Sequence, residues 1–192
     1  MCEQVHPLIE VRFHGRGGQG VVIASEVLAK AAFLSGFEVS SFPFFGVERR
    51  GAPVTAYARL DNKPIRVKSG IYEPDYVVVL DSALFRGVDL LEGLKKKGGV
   101  LVNCADPARI AGLPDGFRYF TLDATSIAVS HGIGSQTAPI VNTAIMGGFA
   151  RMCTFIGLDA ILQAIREEAP FKEEENVAAA KEAYEKTSEV VR

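Results

Sequence analysis

The sequence predicts an α/β fold: a three-layer, Rossmann-like sheet, mostly parallel, with helices on both faces and an inserted β-hairpin. Three observations predict it. An alternating apolar run, Leu8 to Phe13, leads through a glycine-rich stretch, His14 to Gly20, into a helical stretch that begins at Val21. Two continuous apolar runs, Tyr76–Leu80 and Val100–Cys104, read as central parallel strands. Between and after these strands lie stretches with helical spacing of their apolar residues.

The 192 residues suit one domain, 1–192, with a C-terminal helical extension from about 158. A net charge of −2 lacks the basic excess of a nucleic-acid binder. No apolar run reaches the length of a membrane span, and residues 1–7 lack the basic and apolar regions of a signal peptide. A cytoplasmic protein is expected. The cysteines, Cys2, Cys104 and Cys153, form no C-x-x-C pair and give no local cluster or zinc signature; Cys104 and Cys153 read as core. His6, His14 and His131 are scattered. His14 borders the glycine stretch and could meet a ligand, but nothing nearby in sequence would orient it as a base, which favours a structural role.

Gly15, Gly17 and Gly20 fit G-x-G-x-x-G between a strand and a helix. Backbone N–H groups and the helix dipole there favour an anion; a tight turn that lets strand and helix pack closely explains the glycines equally well. A dinucleotide site also needs an acid at the end of the second strand. The acid of that strand, Glu38, sits at its start, and no Gly-Lys-Ser/Thr follows the loop.

The first helix is expected from about Gln19 to Ser35, with Gly36 as its stop. The second strand leads into Phe42-Pro43-Phe44-Phe45-Gly46, too apolar for an ordinary loop; it is folded under the sheet or pressed against another protein. Glu48, Arg49 and Arg50 follow, bounded by Gly46 and Gly51. They form a solvated turn or, since arginine forks match phosphate and carboxylate, an anion clamp or docking site. If the first two strands are neighbours, this loop leaves the same sheet edge as the glycine loop. Val54–Leu60, the turn Asp61–Pro64 and Ile65–Lys68 read as a hairpin, its outer face carrying Thr55, Tyr57, Arg59, Arg66 and Lys68.

Asp81 and Ser82 end a central strand, where α/β ligands gather, but Asp81 also suits the N-cap of a helix over Ala83–Lys97. Lys95, Lys96 and Lys97 would end that helix, closed by Gly98-Gly99. Arg118–Leu122 is a strand, and Asp123 begins a short helix to about His131. Pro139 is expected at the first turn of a buried helix over Ala138–Ile156. Its small residues, Ala144, Gly147, Gly148 and Ala150, permit close helix approach. Leu158–Ala169 is amphipathic. Glu173–Arg192 carries a thin apolar stripe, as in a tail laid over a surface.

Gly15-Arg16-Gly17-Gly18-Gln19-Gly20, Phe42-Pro43, Gly46-Val47-Glu48-Arg49-Arg50-Gly51-Ala52-Pro53-Val54 and Ile71-Tyr72-Glu73-Pro74-Asp75 together resemble the gamma subunit of pyruvate:ferredoxin oxidoreductases and of the wider 2-oxoacid:acceptor oxidoreductase family, over about residues 9–160. Gly51-Ala52-Pro53, where relatives acting on 2-oxoglutarate or indolepyruvate show Gly-Gly, points to the pyruvate, 2-oxoisovalerate or aryl glyoxylate branch.

The resemblance implies a subunit that is not catalytic alone. It implies alpha, beta and delta-type partner subunits, with ferredoxin or another acceptor taking the electrons, and neither nucleic acid nor membrane. Thiamine diphosphate, Mg2+ and Fe–S clusters would sit in other subunits, with coenzyme A as acyl acceptor and no cofactor bound by this chain alone. Gly15, Arg16, Gly17, Gly18, Gln19, Glu48, Arg49 and Arg50 would lie where coenzyme A approaches. A free-standing nucleotide-binding protein, for NAD or a flavin, is the alternative.

Overall fold

The computed structural model describes residues 8–44 and 51–191. Its seven-stranded sheet has the order β2-β3-β1-β4-β5-β6-β9. The strands are β1 (Ile9–Arg16), β2 (Glu38–Phe44), β3 (Pro53–Asp61), β4 (Tyr76–Val79), β5 (Gly99–Asn103), β6 (Arg118–Leu122) and β9 (Ser188–Val190). β1, β4, β5 and β6 are parallel; β3 is antiparallel to both β1 and β2, and β9 to β6. All strands but β3 and β9 therefore point one way. A two-stranded ribbon, β7 (Gly134–Ser135) and β8 (Ala138–Pro139), stands apart.

Strand pleating divides the sheet into two faces. Val11, Phe13, Ala56, Ala58, Val78, Leu101 and Phe120 meet the helices α1 (Val21–Leu34), α2 (Ala124–Ser130), α3 (Asn142–Met152), α4 (Leu158–Glu168) and α5 (Glu173–Lys186). Val77, Val79, Val100, Val102 and Tyr119 point the other way, under Leu84, Leu90, Leu91, Leu94 and Ile110. That second face is covered by 3-10 turns, Ser82–Arg86 and Pro107–Ile110, and by irregular chain rather than by an α-helix.

Several sequence expectations need correction. The helix over 83–97 is a 3-10 turn followed by turns. Arg12, buried on β1, donates from Nη2 to the carbonyls of Leu90 (3.0 Å) and Glu92 (2.7 Å), which a helix would need for its own ladder. The return strand over 65–68 does not form. Arg59 donates to the carbonyls of Ser69 (2.7 Å) and Gly70 (3.1 Å), and the antiparallel partner of β3 is β2 instead. Arg59 itself is not on an exposed face; it is buried and paired with Glu10 at 2.8 Å.

Pro139 belongs to β8, and the helix after it starts at Asn142. The helix over 173–192 ends at Lys186 and gives way to β9. It is no surface tail. Val177, Ala179, Ala180 and Ala183 are buried in the main core, and a Cβ on Gly147 would lie 1.9 Å from the Ala180 carbonyl oxygen. The small residues of α3 thus admit α5 at close range. α4, also from the segment after 158, sends Ile161, Leu162 and Ile165 into the same core.

Candidate functional site

The glycine loop is tied to its surroundings at every turn. The Arg16 amide donates to Gln19 Oε1 at 2.8 Å, and the Gln19 amide donates to the Arg16 carbonyl at 3.0 Å. The Gly17 amide donates to the Ala52 carbonyl (3.0 Å) and the Gly51 amide to the Gly17 carbonyl (3.2 Å). These two bonds extend the β1–β3 ladder, in which Arg16 faces Pro53. The Arg16 side chain closes the junction: Nη1 donates to the Gly51 carbonyl at 3.0 Å, and Nε meets Asp81 Oδ2 at 2.6 Å. A Cβ on Gly15 would come within 2.6 Å of Val21 Cγ2, and Gly20 turns into α1 with φ +79°. Gly15 thus serves close strand–helix approach, and Gly20 serves a left-handed turn pressed against Asn142 of α3.

Gly15, Arg16, Gly17, Gly18 and Gln19 thus form one cluster, bonded to Gly51 and Ala52. Glu48, Arg49 and Arg50 lie outside the described residues, as does Phe45. β1 and β2 are not neighbours, since β3 runs between them. They are nonetheless parallel and end at the same sheet edge, Phe44 opposite Thr55 and Arg16 opposite Pro53. Of the described residues that flank the arginines in sequence, Phe44 ends at this same sheet edge and Gly51 is bonded to the glycine loop.

The C-terminal ends of the parallel strands open a crevice of about 400 Å3, lined by Gln19, Asp81, Ser82, Asn103, Arg109 and Asp123 among others. This is where α/β folds hold nucleotides. Two of the turns that rim the crevice are capped by the chain's own carboxylates, whereas α1 starts at Gly20 with no side-chain cap. Asp81 Oδ1 accepts from the Ala83 amide (2.9 Å), and Asp123 Oδ1 from the Ser126 amide (2.9 Å). The N-cap expected of Asp81 is thus formed. Asn103 Nδ2 joins the Leu80 carbonyl (2.9 Å) to Thr125 Oγ1 (3.0 Å), bracing the crevice floor. The sequence signals for these two are weak: Asn103 ends β5, and Thr125 lies in the first turn of α2. Of the two aspartates in the wall, Asp81 is neutralised by Arg16, and Arg109 lines the same crevice.

His14 is buried. It accepts at Nε2 from Arg12 Nε at 3.0 Å, with Nδ1 3.4 Å from Thr55 Oγ1. Burial, then the Arg12 charge, pushes its pKa down to about 3. It is a neutral structural group, as its sequence surroundings favoured. Cys104 and Cys153 are buried, and burial pushes the Cys153 thiol up to about 11. Among the described residues no group of three His, Cys, Asp or Glu side chains could hold a metal ion, so these residues do not fit an iron–sulfur cluster. No described helix is long and apolar enough to cross a membrane.

Fold and loop geometry together define a Rossmann-type α/β domain whose glycine loop is bonded to a neighbouring strand end. The chain belongs to the pyruvate ferredoxin/flavodoxin oxidoreductase family, which matches residues 10–186. It is 50% identical over 186 residues to the pyruvate/ketoisovalerate oxidoreductases common subunit gamma of Pyrococcus furiosus, covering 94% of this chain and 97% of that one. It is 48% identical to the pyruvate synthase subunit PorC of Methanothermobacter marburgensis, covering 93% and 97%. The crystal structure of the pyruvate oxidoreductase subunit PORC of Thermotoga maritima superposes with a TM-score of 0.80 at 31% identity, covering 96% of this chain and 99% of that one.

Proposed function

We propose that this chain is the non-catalytic gamma subunit of a thiamine-diphosphate-dependent 2-oxoacid:ferredoxin (acceptor) oxidoreductase in the cytoplasm. With alpha, beta and delta-type subunits it supports oxidative decarboxylation of a 2-oxoacid, such as pyruvate or 2-oxoisovalerate, to acyl-CoA and CO2. The observation that carries this reading is the near full-length match to a common gamma subunit of pyruvate and ketoisovalerate oxidoreductases. Thiamine diphosphate, Mg2+ and the Fe–S clusters belong, in this reading, to the partner subunits, which pass electrons to ferredoxin or another acceptor.

The part played by this chain is positional. Arg16, held by Asp81, grips the Gly51 carbonyl, and the amides of Gly17 and Gly51 fasten residues 51–52, which follow Glu48-Arg49-Arg50 in the sequence, to the end of β1. Arginines next in sequence to so fixed a residue suit the phosphates of coenzyme A. The absence of an acid at the C-terminal end of β2 weighs against a free-standing NAD or flavin carrier, since Glu38 stands at the start of that strand. The test is reconstitution from the four separately purified subunits. Omitting this chain should abolish pyruvate- and coenzyme-A-dependent reduction of a viologen dye, and adding it should restore the rate. Full activity without it would overturn the proposal.

A further inference from the structure

The cover over the second sheet face stops short of the β2 edge. Phe44 is 61% exposed on β2, and its ring lies 6.5 Å from that of Tyr57, which also meets Phe42 at 5.3 Å. The Tyr57 hydroxyl packs against Gly70, and the chain on either side of Gly70 exposes Val67 (51%) and Tyr72 (77%). Lys63, Arg66 and Lys68 are exposed on the same segment, and none forms an ion pair among the described residues. Apolar rings and unpaired cations therefore share one continuous surface.

The segment is held firmly from below. Arg59, 2% exposed and neutralised by Glu10, donates to the carbonyls of Ser69 and Gly70, and Arg12 Nη1 donates to the carbonyl of Ile71 at 3.3 Å. Two buried guanidiniums thus fix a backbone that contributes little to the core above them: of residues 62–72, Ile71 alone is buried. Ordering an exposed segment costs conformational entropy that exposed side chains do not return. Fixing it in advance lowers the cost of binding a partner. Apolar side chains rimmed by unpaired cations match a surface that is apolar at its centre and carboxylate-rich around it.

We infer that the segment 63–72, with Phe44 and Tyr57 beside it, is a docking surface for a carboxylate-rich face of another subunit of the same oxidoreductase. This inference rests on the gamma-subunit reading. The test uses the full set of co-expressed subunits and compares wild type with Arg66→Glu/Lys68→Glu, each chain first shown to be folded by circular dichroism. Hydrogen exchange of residues 63–72 is measured in the free chain and in the assembly. The expected results are slowed exchange of 63–72 on assembly, and an affinity at least tenfold weaker for the double variant, with a gap that narrows as salt is raised. Unchanged exchange in a wild-type assembly, or equal affinity of the variant, would overturn this inference alone. Protection of the same residues by a second copy of the free chain, or by a single-stranded oligonucleotide in place of the subunits, would also overturn it. Failure of the wild-type chain to join the other subunits would overturn the gamma-subunit reading and this inference with it.

Discussion

Arg12 Nε donates to His14 Nε2 across 3.0 Å, from one residue of β1 to the next on the same face. An imidazole nitrogen that accepts from a guanidinium cannot also carry a proton, so the folded chain keeps His14 neutral. The sign of the pH effect follows. The folded pKa of about 3 lies below the ordinary value of 6.5, so between them the unfolded chain binds the extra proton. Stability from this site is complete above pH 6.5 and is lost as pH falls toward 3, at up to about 1.4 kcal/mol per pH unit. Urea unfolding at pH 7.5, 6 and 5 measures it. His14→Gln, whose amide oxygen can still accept from Arg12, should flatten the slope; an unchanged slope would assign the acid sensitivity elsewhere.

Gly147→Ala tests the α3–α5 contact. The added methyl meets the Ala180 carbonyl oxygen at 1.9 Å, so the helices must separate. Overpacking of this kind costs about 1–3 kcal/mol, against a gain in helix propensity of about 1 kcal/mol. A net loss of stability is expected, read as a lowered Tm in calorimetry. An unchanged or raised Tm would show that α5 yields freely.

The part of the fold legible in the sequence is the part governed by neighbours in the chain. β1, the glycine loop and α1 stand where the alternation and Gly36 put them, β6 spans the predicted Arg118–Leu122, and Asp81 caps the turn after its strand. Two misreadings trace to distant strand residues. The apolar spacing of Leu84, Leu91 and Leu94 imitates a helix, and Ile65–Lys68 imitates a return strand. In the first, Arg12 takes the Leu90 and Glu92 carbonyls that a helix would need; in the second, Arg59 holds the chain just past 65–68 by the Ser69 and Gly70 carbonyls while β2 takes the place beside β3. Periodicity carries no record of such a competitor. The thin stripe of α5 misled for another reason: Ala179, Ala180 and Ala183 count little as hydrophobic residues, yet they are buried because Gly147 lets the helix come close. At the site, the glycine spacing was visible, whereas the side chains that close it, Gln19 and Asp81, declared their roles through geometry.

Arg49→Ala/Arg50→Ala in the assembled enzyme should raise the KM for coenzyme A. Loss of one charged hydrogen bond is worth about 1.5–3 kcal/mol, or roughly ten- to a hundredfold. Arg16→Ala, which frees the Gly51 carbonyl, should raise it in the same direction by less. Steady-state kinetics with the 2-oxoacid saturating separates this from a loss of assembly, which would lower kcat instead. An unchanged KM in both variants would leave the arginines as a surface turn.

Phe44→Asp probes the sheet edge. The ring is largely exposed and touches the Tyr57 ring edge-on, so the free chain should keep its fold with a loss below about 1 kcal/mol. Assembly should fail, because an unpaired carboxylate would be buried at the contact. Size-exclusion chromatography of the co-expressed subunits reads the outcome. Normal assembly would free Phe44 from any interface.

The carboxylates of Asp81 and Asp123 are committed to the amides of Ala83 and Ser126, at the mouth of the crevice where the parallel strands end. A crevice at the ends of parallel strands is the place where such a fold would ordinarily sense adenine nucleotides. The chain's own carboxylates cap two of the turns around that crevice, and Asp81 is neutralised there by Arg16, while Arg109 lines the same wall.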